Sequence, residues 1–227
     1  MSRIAIQFRC TTWKMLKVSL SRQARLLAAR KHEFTQTVAF FFMAITLFRM
    51  SIGLTELSME LIAAISYCSW LFALMLTSSS ALEADFARGY LHQFYLTGVA
   101  LEVPLLAYYA ISTLFYLTIW LLSSPLVMLI MDVDYDQYLP FIAAGVLMTL
   151  TLNSTLLTCR AMLLGSTPSV LLAILTIPLL LPIVIITMLS IQQLSYMFVL
   201  LLLWLGLMPI SMITGAYAIT TAFDDAL

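Results

Sequence analysis

Few residues in this 227-residue chain have the types and spacing that do chemistry. They are two histidines (His32, His92), three cysteines (Cys10, Cys68, Cys159) and an aspartate triplet (Asp132, Asp134, Asp136). Zinc catalysis needs three or four ligands converging on one ion. No histidine or carboxylate cluster falls inside the long apolar segments, so no metal site is expected. The cysteines form no CxxC pair and read as small apolar residues. The aspartates alternate as calcium ligands do but lack the rest of an EF-hand loop, so they read as a solvated turn. There is no GxSxG elbow and no GxxxxGK[ST] phosphate loop, so neither serine hydrolysis nor P-loop ATP hydrolysis is expected on this chain. His92 has two readings, a lone haem or metal ligand and a solvated polar residue. Arg49 is the one charge inside an apolar segment. It reads either as a substrate-facing counter-ion or as a side chain reaching the nearer interface.

The elements that would position these residues are membrane spans. The chain is 63% apolar and 10% charged, against roughly 45–50% and 25% in soluble domains. That excludes a soluble enzyme, a disordered chain and a secreted disulfide scaffold. A spanning helix needs about 20 apolar residues. The uncharged runs and their breakers predict six, over 37–54, 61–80, 103–131, 139–157, 170–190 and 196–218. The runs are continuous rather than alternating, so the fold class is all-α and polytopic, not a β-barrel. Pro178 and Pro182 each withhold a helix hydrogen bond, which marks a kink or joint in the fifth span.

The formal net charge of zero hides a sorted distribution. Residues 1–31 carry eight of the eleven basic residues and no acid. With the N-terminus inside, the inner segments hold ten Lys and Arg and the outer loops none, as the positive-inside rule requires. Both termini are then expected on the cytoplasmic side. Residues 1–36 read as a basic interfacial segment. One stripe is apolar (Trp13, Leu16, Leu20, Ala24, Leu27) and a second is polar and basic (Lys14, Lys17, Ser21, Arg25). The alternative is a mitochondrial transit peptide, which is also Arg-rich and acid-free.

The substantial polar interruption is Ala81–Glu102, between the second and third spans. Leu82, Phe86, Leu91, Phe94 and Tyr95 interleave there with Glu83, Asp85, Arg88, His92 and Gln93. The pattern predicts a short amphipathic helix on the cytoplasmic side, able to dock into a partner's groove or to rest on lipid.

Four ordered stretches then carry a resemblance. They are Ile45-Thr46-Leu47-Phe48 with Ser51-Ile52-Gly53; Ala81-Leu82-Glu83 with Phe86; Ser124-Pro125-Leu126-Val127 with Met131-Asp132-Val133; and Pro178-Leu179-Leu180-Leu181-Pro182. Over most of residues 15–190 the chain resembles the CcmB family, the haem exporter protein B of cytochrome c maturation. That family is a permease subunit of an ABC transporter. The resemblance implies six spans in an ABC-2-type permease-like fold, and ATP hydrolysis on a separate ATPase chain. It further implies a haem-handling membrane protein and a small membrane subunit as partners, and haem as a possible substrate rather than a cofactor. It makes Glu83, Asp85, Phe86, Arg88, Gly89, Leu91, His92 and Gln93 the coupling helix that meets the ATPase. It places the chain in a bacterial inner membrane, with the mitochondrial inner membrane as the alternative, and implies no nucleic acid. The sequence departs from the family at Arg49, where a proline is usual, and at His92, where a glutamate is usual. Two other readings stay open: a non-transporting membrane scaffold, and a permease for another lipophilic substrate.

Overall fold

The computed structural model describes residues 2–29, 31–53, 57–77, 81–98, 100–164 and 169–224. Among them are nine helices and no strand: α1 (Ser2–Ala29), α2 (Lys31–Ile52), α3 (Met59–Thr77), α4 (Ala81–Ala87), α5 (Tyr90–Leu96), α6 (Glu102–Met131), α7 (Tyr135–Met162), α8 (Ser169–Gln192) and α9 (Leu194–Asp224). Five of them (α2, α3, α6, α7 and α9) are long and apolar enough to cross a membrane. The 176–192 part of α8 is apolar as well. The 30 residues of α6 extend about 45 Å at 1.5 Å per residue, beyond a hydrocarbon core of about 30 Å.

The polarity of the molecule is inverted relative to a soluble protein. Leu47, Phe48, Met50, Leu122, Leu129, Leu202, Leu205 and Ile213 are exposed, while Thr149, Thr151, Asn153, Ser154 and Thr187 are buried. In water so large an apolar surface would drive association. In lipid it costs nothing, and the polar groups turn inward to find hydrogen bonds. Together, the inverted polarity and the long apolar helices make this an integral membrane protein.

α7 is the central helix, packed against α9, α8, α6 and α3. Two apolar clusters lie along it. The first gathers the rings of Phe41, Tyr67, Trp70, Trp120 and Phe141. Gly145 makes room for it, because a Cβ there would run into the Trp120 indole. Polar ends of the rings are anchored on α7: Tyr67 donates to the Phe141 carbonyl at 2.9 Å, and Trp70 Nε1 to Thr149 Oγ1 at 2.9 Å. The second cluster lies at the other end of the bundle and joins Leu105, Tyr109, Leu157, Ala161 and Phe223 to Leu82, Leu91 and Phe94 of the short helices.

Several helices run past the expected span ends, although α2 closes at Ile52 rather than 54 and α3 is described only to Thr77 rather than 80. α2 begins at Lys31 rather than 37, α7 covers Tyr135–Met162 rather than 139–157, and α9 runs on to Asp224. Polarity marks where lipid ends, whereas caps and breakers mark where a helix ends. Asp132 shows the difference. It closes α6 in the left-handed region at φ 58, which aspartate tolerates better than most residues. Its place in the triplet is therefore explained by chain reversal. Pro178 and Pro182 both sit inside the continuous helix α8 and are exposed. The breaker Gly165-Ser166-Thr167-Pro168, the acid Glu56 and residues 78–80 lie outside the described residues.

Candidate functional site

The segment 81–102 is two helices rather than one. α4 ends at Ala87, the chain turns at Arg88 and Gly89, and α5 begins at Tyr90. Gly89 has φ 73, a left-handed conformation that glycine adopts without a Cβ penalty. Its N–H donates to the Phe86 carbonyl at 3.0 Å. The turn lets both short helices present apolar residues to one side. Leu82, Leu91 and Phe94 enter the second cluster against Leu101, Leu105 and Leu164. Glu83, Arg88 and Gln93 remain exposed on the other.

Asp85 does not face solvent. It is 2% exposed and is met by three donors from α1. Arg22 donates from Nη1 to Oδ2 and from Nη2 to Oδ1, both at 2.7 Å, and Gln23 Nε2 donates to Oδ2 at 2.9 Å. The parallel pair is the strongest form of charge-assisted hydrogen bond. The Arg22 guanidinium also lies 3.6 Å from the centroid of the Tyr90 ring, a favourable cation–π contact. The Tyr90 hydroxyl is hydrogen-bonded to Ser19 Oγ at 3.2 Å. The hydrogen bond with Asp85 raises the Arg22 pKa, against the lowering effect of burial. The guanidinium therefore stays charged.

The docking involves a third face of the N-terminal helix, beside its apolar and basic stripes. The basic stripe faces outward, and of the apolar stripe Leu16, Leu20 and Leu27 are half-buried while Trp13 and Ala24 are exposed. Ser19 and Gln23 are buried with Arg22 beside them, while Trp13 is 60% exposed and Lys14, Lys17, Ser21 and Arg25 are exposed. α1 therefore has three faces, of which the one formed by Ser19, Arg22 and Gln23 docks on the short helices. As letters in the sequence, Ser19, Arg22 and Gln23 show no joint role. Their i, i+3, i+4 spacing was the available signal, but the partner sixty residues away was not visible.

A second contact holds the helix pair from α9. Phe223 is 7% exposed. Its ring stacks on Phe86 at 5.0 Å and meets His92 at 5.1 Å and Tyr95 at 5.7 Å. His92 therefore packs in an aromatic cluster. No three His, Cys, Asp or Glu come together as a metal site among the described residues.

The expected residues thus separate. Asp85, Phe86, Leu91 and His92 face the protein, Gly89 makes the turn, and Glu83, Arg88 and Gln93 face outward. Arg49 lies on α2 among the exposed Leu47, Phe48 and Met50, on a different element. Inside the bundle, one polar residue passed unnoticed in the sequence. Asn153 of α7 is buried and donates to Ser112 Oγ at 2.9 Å and Thr113 Oγ1 at 2.6 Å on α6. Nearby, Trp204 Nε1 donates to the Tyr109 hydroxyl at 2.7 Å, and that hydroxyl donates to the Leu150 carbonyl at 3.1 Å. These bonds tie α6, α7 and α9 together at mid-bundle.

None of the curated proteins compared with the chain matches it. The family model described as CcmB protein matches residues 14–224. That match begins in the docked part of α1, takes in the short helix pair and reaches the last turn of α9. The chain belongs to the CcmB family.

Proposed function

We propose that the chain is the six-span transmembrane permease subunit of an ABC transporter acting in cytochrome c maturation. Haem, or release of a haem-loaded chaperone, is the transported task. ATP is hydrolysed on a separate chain. The observation that carries this reading is the α4–α5 pair, folded into the end of the bundle on one side and charged on the other. A helix pair so anchored transmits a push instead of absorbing it. Glu83, Arg88 and Gln93 offer a polar contact surface for the ATPase.

The sorted charges support placing α1, α4 and α5 on the cytoplasmic side of a bacterial inner membrane, with both termini on that side. The turn at 132–134 and the α8–α9 turn at Gln193 then face outward. A haem-handling membrane protein and a small membrane subunit complete the complex. No covalent step falls to this chain. Its own residues hold the helix pair (Asp85, Phe86, Leu91), set its turn (Gly89) and give α8 its two proline positions (Pro178, Pro182).

Affinity purification of the tagged protein from membranes in mild detergent tests the reading. An ATPase chain should elute with it in constant ratio. Glu83→Arg combined with Arg88→Glu should lower that ratio without lowering the yield of the tagged chain. A homogeneous, folded protein that carries no ATPase would favour the scaffold reading instead.

A further inference from the structure

The short helix pair is gripped from both ends of the sequence. α1 holds it through Asp85 and Tyr90, and α9 holds it through Phe86, His92 and Tyr95. The two grips differ in kind. The Phe223 contact is apolar and non-directional. The Arg22 contact is directional: two parallel hydrogen bonds fix the guanidinium plane, the Tyr90 ring covers its face, and Gln23 fills a remaining acceptor site on the same carboxylate. Asp85 is only 3% exposed at its side chain and Arg22 28%. A carboxylate buried to that degree is costly to leave without its hydrogen-bond donors. Moving α4–α5 without α1 would strip Asp85 of all three donors at once. The cheaper motion carries α1 along.

We infer that Arg22 and Asp85 are positioning residues, a joint through which displacement of the α4–α5 pair is passed to the N-terminal helix. The inference rests on the permease reading for the source of the displacement. It extends that reading by giving α1 a part in it. α1 is also the element that carries the exposed Trp13 and the basic face, and it packs against α6. A shift of α1 is therefore felt by a membrane-spanning helix as well as at the membrane surface. The joint is local in space and far apart in sequence, its two charged members standing 63 positions apart.

The test uses the full-length protein in complex with its ATPase partner in lipid nanodiscs. Spin labels are placed at the exposed positions Ala24 and Thr97, after the native cysteines are replaced by alanine. The unsubstituted joint should give one narrow distance distribution. Arg22→Ala and Asp85→Ala should each broaden it. Each should also lower holocytochrome c formed per ATP hydrolysed by at least about five-fold, the lower end of ordinary coupling between sites. Arg22→Lys keeps the charge without the two-pronged geometry and should fall between. A purely structural role would lower the yield of folded complex and leave the ratio per ATP unchanged. An unbroadened distribution in both alanine variants overturns the joint, as does a broadened one with an unchanged ratio. If the unsubstituted protein engages no ATPase, the permease reading fails. The label distances then still decide whether the pair holds α1 to α4–α5.

Discussion

Three helical glycines form a graded test of the packing around α7. At Gly206 of α9 an added Cβ meets nothing within 4 Å. At Gly215 it would sit 3.3 Å from Leu105 Cδ1 and 3.5 Å from Ala161 Cβ. At Gly145 it would run into the Trp120 indole, which is fully buried and flanked by the rings of Phe41, Tyr67, Trp70 and Phe141. Alanine favours a helix over glycine by about 0.5–1 kcal/mol. Overpacking a filled core costs about 1–3 kcal/mol. Gly206→Ala should therefore stabilise by the propensity alone, raising Tm by about 1–4 °C at the 2–4 °C per kcal/mol typical of this size. Gly145→Ala carries both contributions and should come out roughly 0.5–2 kcal/mol destabilised, a fall of about 1–8 °C. It should also weaken the bond from Trp120 Nε1 to the Ile142 carbonyl, which is already long at 3.4 Å. Gly215→Ala should fall between the two. Thermal unfolding of the three purified variants in one detergent, followed by tryptophan fluorescence, gives the order. If Gly145→Ala is as stable as Gly206→Ala, the close approach of α6 and α7 at Trp120 is wrong.

Asp85→Ala leaves Arg22 without its carboxylate. Because the guanidinium keeps some access to solvent, the cost should be about 1–3 kcal/mol, read as a lower Tm and faster hydrogen exchange in α4. Asn153→Leu removes the bonds to Ser112 and Thr113 and should cost about 1–2 kcal/mol, since bonds between membrane helices average well under their nominal worth. An unchanged Tm would show that those hydroxyls re-pair with their own helix carbonyls. Phe223→Ala empties the aromatic seat under Phe86 and should cost about 3–5 kcal/mol. Proteolytic cleavage near Arg88 should then appear first, and its absence would show that α9 does not hold the helix pair.

Most of the architecture could be read from the sequence because lipid imposes a simple rule. Continuous apolar runs such as 103–131 and 196–218 have no stable state there but a helix. The helix ends were less legible, since Lys31–Gln36 and Tyr135–Tyr138 are polar yet continue their helices. The helix pair was visible as a polar interruption with interleaved aromatics. Its break at Gly89 was not, because one glycine in a short segment has many uses. The facing of its residues was legible only in part. Asp85 and Glu83 are alike as letters, and only the position of Arg22 sends one inward and leaves the other outside. Asn153 stayed hidden because a single amide hardly lowers the hydropathy of a long apolar run.

The proposed function turns on a separate ATPase meeting the solvent-exposed side of α4–α5. Site-specific photocrosslinking in native membranes tests it most directly. Benzophenone side chains are placed in turn at Glu83, Arg88 and Gln93, and at Leu202 on the exposed apolar face of α9 as the control. An adduct with one ATPase chain is expected from the three helix-pair positions and none from Leu202. Adducts with lipid alone at all four positions would contradict it.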